Sequence, residues 1–234
     1  GGGFGGKLDQ TVQPLVALAA WKLNRPVRCT FNRIESMAAT TKRHPSQITA
    51  RYGCKSDGKL QAYEFDGDFN TGAYVSWGLT VKDRVPIHST GPYFVPNVSA
   101  KSRAFFTNEP PAGAFRGFGV PQAAIAHDSL MDKMAEMTGI DPLEFRYINA
   151  IRKGQKTATG QELESAGLDQ CLDALRGDWK AWRAEAEKHN ASHTIKRRGV
   201  GIGCMWYGCG NTSIANPSTM HLGLEANGKV TLYS

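Results

Sequence analysis

At two places in this chain a glycine-containing segment runs directly into a helical pattern, and each lets a piece of main chain come very close to something else. The opening segment, Gly1 to Leu8, reads GGGFGGKL, and a later one reads Ala114-Phe115-Arg116-Gly117-Phe118-Gly119. Each sets an aromatic ring among glycines, directly ahead of a helical pattern. Without a Cβ, the backbone can adopt left-handed turns and approach a neighbour closely. At a helix N-terminus such a turn also presents N–H groups that no carbonyl of the helix satisfies. Both segments therefore demand sharp turns whose amides are available to an electron-rich partner.

The first segment nearly spells two nucleotide-binding loops. Gly1-x-x-x-x-Gly6-Lys7 lacks the Ser or Thr that a phosphate loop needs for magnesium, because Leu8 follows, and no strand precedes it. Gly1-x-Gly3-x-x-Gly6 lacks the dinucleotide-binding acid about 20 residues further on. The region around Pro26 has no acid, and Glu35 comes late. Neither nucleotide reading holds. In the second segment Arg116 adds a planar donor fork suited to anionic oxygen.

Hydrophobic periodicity predicts an α+β fold, with mixed antiparallel sheets and packed helices. Val12 to Leu23 is a helix, with Thr11 as its cap and Pro14 in its first turn, and Val27 to Asn32 reads as a strand. Strands are expected between Ser46 and Ala73 and again before Phe106. A helix from Val120 to Gly139 is followed by one capped by Asp141 and running to about Ile151. Arg152 to Gly167 is a polar crossing loop, and Leu168–Leu175 and Trp179–His189 read as separate helices. Strands are expected at Gly199–Cys204, Ser218–Ala226 and Lys229–Ser234, with a two-residue turn at Asn227-Gly228. The expected organisation is a main unit over 1–176, a linker or helix over 177–198, and the start of a second unit over 199–234.

Charge and cysteine usage narrow the class. The net charge of +7 comes from scattered residues, with one short cluster at Lys196, Arg197 and Arg198, so a solvated surface is expected and no nucleic-acid partner. No apolar run approaches the ~18 residues of a membrane span. Five cysteines, at 29, 54, 171, 204 and 209, form no paired metal-ligand spacing with each other or with the six histidines. Reduced thiols and a cytoplasmic location are expected.

The two glycine segments, GGGFGGK and AFRGFGVPQ, resemble the molybdenum-binding part of the xanthine dehydrogenase and aldehyde oxidoreductase family, the molybdenum hydroxylases. Tyr93-Phe94-Val95-Pro96-Asn97, Thr107-Asn108, Asp141-Pro142-Leu143-Glu144-Phe145-Arg146, Asn149 and Gly160-Gln161 extend the resemblance over most of the chain. It implies a fragment of a molybdenum-cofactor-binding domain, and a molybdopterin cofactor in the cytosine dinucleotide form. Cofactor contacts are implied for Gly3, Phe4, Gly5, Gly6, Phe115, Arg116 and Gly117, with the Phe4-Gly5 main chain against a molybdenum oxygen. No residue of this chain is implied as a direct metal ligand. The implied chemistry is hydroxylation with water as the oxygen source. Electrons leave through iron–sulfur clusters to a flavin or another acceptor, on other domains or subunits.

The resemblance also assigns substrate contacts to Leu8, Arg84 and Phe118. Phe118 matches a position that packs on a planar substrate. Arg84 aligns with an arginine that binds purine in xanthine-oxidising members, although the residues alone read it as a surface arginine in Lys82-Asp83-Arg84. Leu8 stands where vertebrate-type purine oxidisers carry a glutamate, and aldehyde-oxidising members often have an apolar residue there. Carbon monoxide dehydrogenase has a cysteine where this chain has Gly117, which excludes that activity. The family's general-base glutamate lies in a Gly-Glu motif that this chain does not contain, so no catalytic residue is assigned and the isolated chain is expected to be inactive. The expected substrate is an N-heteroaromatic of purine or nicotinate type. The alternatives are an aldehyde oxidoreductase, or a noncatalytic remnant that docks to partner subunits.

Overall fold

The computed structural model describes residues 2–208 and 217–233. A three-stranded mixed sheet forms its centre. Strand β1 (Ser46–Cys54) pairs antiparallel with β2 (Leu60–Gly72), and β2 pairs parallel with β3 (Asn97–Phe106). The sheet buries one face: Tyr63, Phe65 and Phe69 alternate inward along β2, as the period of 2 requires. Parallel pairing of β2 with β3 needs a crossover, which α3 (Gly78–His88) supplies.

Helix α4 (Val120–Thr138) covers the sheet with a stripe of Ala123, His127, Met131 and Met134, and ends at Gly139, whose φ is 69°. Helix α5 (Pro142–Asn149) is capped by Asp141, which accepts from Leu143 N (2.9 Å) and Glu144 N (3.3 Å). Glu144 does not close a capping box. It pairs with Arg176 at 2.6 Å instead. That ion pair joins α5 to α6 (Leu168–Ser192). A hairpin of β4 (His221–Leu224) and β5 (Val230–Tyr233) follows.

Several expectations are corrected. Leu168–Leu175 and Trp179–His189 are one 25-residue helix. Gly177 lies inside it, and the Trp179 and Arg183 side chains hold its middle to Asp141. Val27–Asn32 and Gly199–Cys204 form no strand, because neither has a ladder partner among the described residues. Asn32 instead caps α2 (Arg33–Ala39) in a reciprocal box with Glu35. Helix α1 (Gln13–Leu23) follows Val12, and Thr11 makes no cap. The apolar face expected of this helix, with Leu15 and Leu23 on it, is largely open: they are 66% and 63% exposed. At the last hairpin only Gly228 is left-handed (φ 81°), so the turn is not the two-residue form expected at Asn227-Gly228.

A buried ion cluster ties the pieces together. Arg146 is fully buried and reaches Asp128 (3.3 Å) and Asp132 (2.7 Å). The Tyr93 hydroxyl donates to one Asp128 oxygen (2.7 Å), and the Cys204 amide donates to the other (2.9 Å). Asp128 thus fastens the segment after α6 to α4. Among the described residues Cys29, Cys54, Cys171 and Cys204 are free thiols, and Cys209 lies outside them. No described helix is long and apolar enough to cross a membrane, and no three His, Cys, Asp or Glu side chains cluster as metal ligands.

His127 is fully buried and neither ring nitrogen has a hydrogen-bond partner. Burial lowers its pKa from the usual 6.5 to about 4, against the opposing pull of Asp128, and burial brings His44 to about 4 as well. Below about pH 6.5 the unfolded rings take up protons that the folded ones refuse. The stability present above pH 6.5 is therefore lost progressively toward pH 4, on the order of 3 kcal/mol for His127. Thermal denaturation should show a clear drop in midpoint from pH 7.5 to 5, and a smaller drop in His127→Leu. An equal drop in both would contradict this role for His127.

Candidate functional site

Both glycine segments fold as strained turns. Phe4 (φ 51°) and Gly5 (φ 92°) are left-handed in succession, and Gly6 N–H closes the turn on the Gly3 carbonyl at 2.9 Å. Gly117 (φ 92°), Phe118 (φ 48°) and Gly119 (φ 98°) repeat the pattern ahead of α4. A phenylalanine with positive φ is uncommon, and such strain gathers at binding sites.

The two turns pack on each other. A Cβ on Gly5 would lie 2.5 Å from the Ala114 carbonyl oxygen, so only glycine permits this approach. The Arg116 guanidinium sits over the Phe4 ring, 5.3 Å from its centroid. Arg43 donates to the Arg116 carbonyl (2.6 Å) and lies over the Phe115 ring. Asp9, at the end of the first segment, accepts from Ser76 Oγ at 2.7 Å, which ties that segment to the turn before α3.

A hollow of about 360 Å³ opens between the turns, lined by Phe4, Gly5, Leu8, Trp77, Arg84, Phe115, Arg116, Gly117, Phe118 and Tyr207, with Ala114 at its base. A second, of about 530 Å³, shares Phe4, Phe115 and Arg116 as a wall and adds Gly3, Gly6, Arg33 and Lys42. Every residue singled out by sequence lines one or the other. Leu8, Arg84 and Phe118 are all on the first.

Arg84 is not the surface residue that its neighbours Lys82 and Asp83 suggested: it is 2% exposed. Its guanidinium lies 4.4 Å from the Tyr207 ring centroid and 5.8 Å from that of Phe118. Trp77 meets Phe118 edge to face at 5.9 Å.

The field in the site is positive. Among the described residues no carboxylate lines either hollow. Burial, and then the Arg116 charge, lowers the pKa of Arg43, while burial and then Arg33 lower that of Lys42. The amides of Phe4, Gly5, Arg116 and Gly117 make no hydrogen bond within the described residues. Such a site suits an electron-rich, planar group bearing negative oxygen.

Sequence reasoning missed Trp77 and Tyr207. A signal was present. The chain has five aromatic–glycine pairs, Phe4-Gly5, Tyr52-Gly53, Trp77-Gly78, Phe118-Gly119 and Tyr207-Gly208. Four of the five place their ring on the first hollow. At Gly5, Gly78 and Gly119 a Cβ would come within 2.8 Å of another residue, so close packing behind the ring recurs.

Comparison with known proteins places this geometry. The family described as a molybdopterin cofactor-binding domain matches residues 1–150. The nicotinate dehydrogenase large molybdopterin subunit of Eubacterium barkeri is 45% identical over 177 residues, 75% of this chain and 42% of that relative. The xanthine dehydrogenase molybdenum-binding subunit of Escherichia coli O157:H7 is 39% identical over 88% of this chain and 28% of its own length. The solved aldehyde oxidoreductase of Desulfovibrio gigas superimposes on all of this chain and 26% of its own, with a TM-score of 0.86 and 35% identity. This chain spans between a quarter and a half of the length of these relatives. The chain belongs to the molybdopterin cofactor-binding domain family.

Proposed function

We propose that this chain supplies the cofactor-facing and substrate-facing walls of a molybdenum hydroxylase acting on a planar N-heteroaromatic of nicotinate or purine type. The observation that carries the reading is Arg84: a buried cation on the wall of an aromatic hollow, with Phe118 and Tyr207 beside it.

The residues fit a molybdopterin. A Cβ on Gly5 would push the two turns apart, and among the described residues the surrounding amides have no protein partner and the lining carries cations and no carboxylate. Gly3, Phe4, Gly5, Gly6, Phe115, Arg116 and Gly117 would hold it. When bound, the cofactor supplies the redox chemistry, with water as the oxygen source. The cytosine dinucleotide form, and iron–sulfur and flavin groups on other domains or subunits, belong to the same proposal.

The contribution of this chain is preorganisation. The Phe4-Gly5 and Arg116-Gly117 amides face charge without having to reorganise. Phe118 and Trp77 give a planar ring a surface to pack on and keep water from it. Arg84 would hold a ring substituent bearing negative charge, and its burial among rings strengthens that attraction. Among the described residues no carboxylate or imidazole lines the first hollow, so binding and orientation are what these residues offer.

An aldehyde substrate is the second reading, favoured by Leu8, an apolar side chain on the same hollow that offers no hydrogen bond. The two readings separate in the intact enzyme. Arg84→Met should raise KM for nicotinate or xanthine by about tenfold or more, the worth of one charge-assisted hydrogen bond. It should change turnover of aliphatic aldehydes little. Turnover of aliphatic aldehydes with no oxidation of nicotinate or purines would overturn the heteroaromatic reading.

Gly5→Val should abolish molybdenum retention and turnover in the intact enzyme, because the new side chain meets Ala114 at a φ of 92°. Gly53→Ala, at a glycine with open space around it, serves as the folding control. Normal metal content and activity in Gly5→Val would contradict this role for Gly5.

A further inference from the structure

His88 is the last residue of α3 and is 1% exposed. It does not line the hollow, yet both its ring nitrogens are engaged. Nδ1 lies 2.9 Å from the Arg84 carbonyl oxygen, and Nε2 accepts from the Gly208 N–H at 3.2 Å. A carbonyl only accepts and an amide N–H only donates, so the ring is neutral with its proton on Nδ1. Gly208 has a second engagement: its carbonyl accepts from Arg84 Nη2 at 3.2 Å. The three bonds form a closed circuit that leaves the Arg84 side chain, passes through both polar groups of Gly208, crosses the His88 ring and returns to the Arg84 main chain.

The circuit joins two distant parts of the chain. Arg84 and His88 belong to α3, whereas Gly208 follows the segment that Asp128 fastens at Cys204. Tyr207, just before Gly208, lays its ring against the Arg84 guanidinium, and the His88 ring packs edge to face with Trp206 at 5.5 Å. His88 therefore fixes the Gly208 peptide at one end and the Arg84 main chain at the other.

We infer that His88 is a positioning residue for substrate recognition: by holding the Gly208 peptide it sets the orientation of the Arg84 guanidinium, and so tunes affinity for planar substrates bearing a carboxylate or similar anionic edge. The inference rests on the proposed role of Arg84 in substrate binding. It assigns His88 no proton transfer and no substrate contact.

Two near-isosteric substitutions divide the functions of the ring. The Oε1 of Gln reaches the place of Nε2 and can accept from Gly208. The amide of Asn reaches only the place of Nδ1, which keeps the bond to Arg84 and loses the one to Gly208. In the intact, cofactor-loaded enzyme, His88→Asn should raise KM for nicotinate about tenfold with kcat nearly unchanged. His88→Gln should stay within about twofold of the native enzyme. The dissociation constant of benzoate, a ring with a carboxylate but no oxidisable heterocycle, should follow the same order by equilibrium dialysis, whether or not nicotinate is turned over. Molybdenum content should match the native enzyme in both variants.

Equal KM and benzoate affinity in the Asn and Gln variants, with Arg84→Met impaired, would overturn the role of His88 and leave that of Arg84 standing. Native affinity for both probes in Arg84→Met would overturn the reading of Arg84 and this inference with it. Loss of molybdenum in both His88 variants would mark a residue needed for folding alone, and would also overturn the inference.

Discussion

Everything at the site depends on one close approach: the Gly5 main chain against the Ala114 carbonyl, at a distance no side chain would allow. That contact brings two sequence-distant turns together, puts Arg116 over Phe4, and leaves a hollow between them. The turns hold five residues in left-handed conformations, and two of them are phenylalanines. Each such phenylalanine costs on the order of 1–3 kcal/mol, which the surrounding packing must offset. The sheet and α4 provide that support. Gly119 rests on Val85 of α3, and Arg43, just before β1, holds the Arg116 carbonyl.

The same arrangement explains the charge of the site. Arg84 and Arg116 line the first hollow and Arg33, Lys42 and Arg116 the second, and among the described residues no acid lines either. Burial, and then the Arg116 charge, lowers the pKa of Arg43, and amides with no partner among the described residues add to the positive field. An anionic ligand relieves both. The buried polar cluster elsewhere in the molecule behaves differently. Arg146 is matched by Asp128 and Asp132, and Asp128 has both oxygens engaged. One cluster is complete in itself and holds segments together. The other is matched, in the proposed function, by an anionic ligand.

The sequence was most legible where backbone constraint and side-chain pattern agree. The two glycine turns, the α4 stripe, the Asp141 cap and the polar crossing loop could all be read from residue type and spacing. Helix α3 could not, since Gly78, Thr80, Val81 and the internal Pro86 all disfavour helix, and tertiary packing of Val81 and Val85 overrides them. Val27–Asn32 has strand-like residues but no partner, and pairing is a long-range property that the segment does not carry. Arg84 was hidden by its neighbours Lys82 and Asp83. Its burial follows from the helix turning it inward onto rings contributed by positions 118 and 207. The recurrence of an aromatic before a glycine was the unread clue to Trp77 and Tyr207.

The central claim is that the two turns jointly hold a molybdopterin with their main-chain amides. Hydrogen–deuterium exchange on the intact enzyme, with and without its cofactor, tests this most directly. Exchange at the Phe4-Gly5 and Arg116-Gly117 amides should slow together when the cofactor is bound, while the amides of the exposed residues Ser56 and Asp57 stay unchanged. Identical exchange in both turns with and without the cofactor would contradict the account.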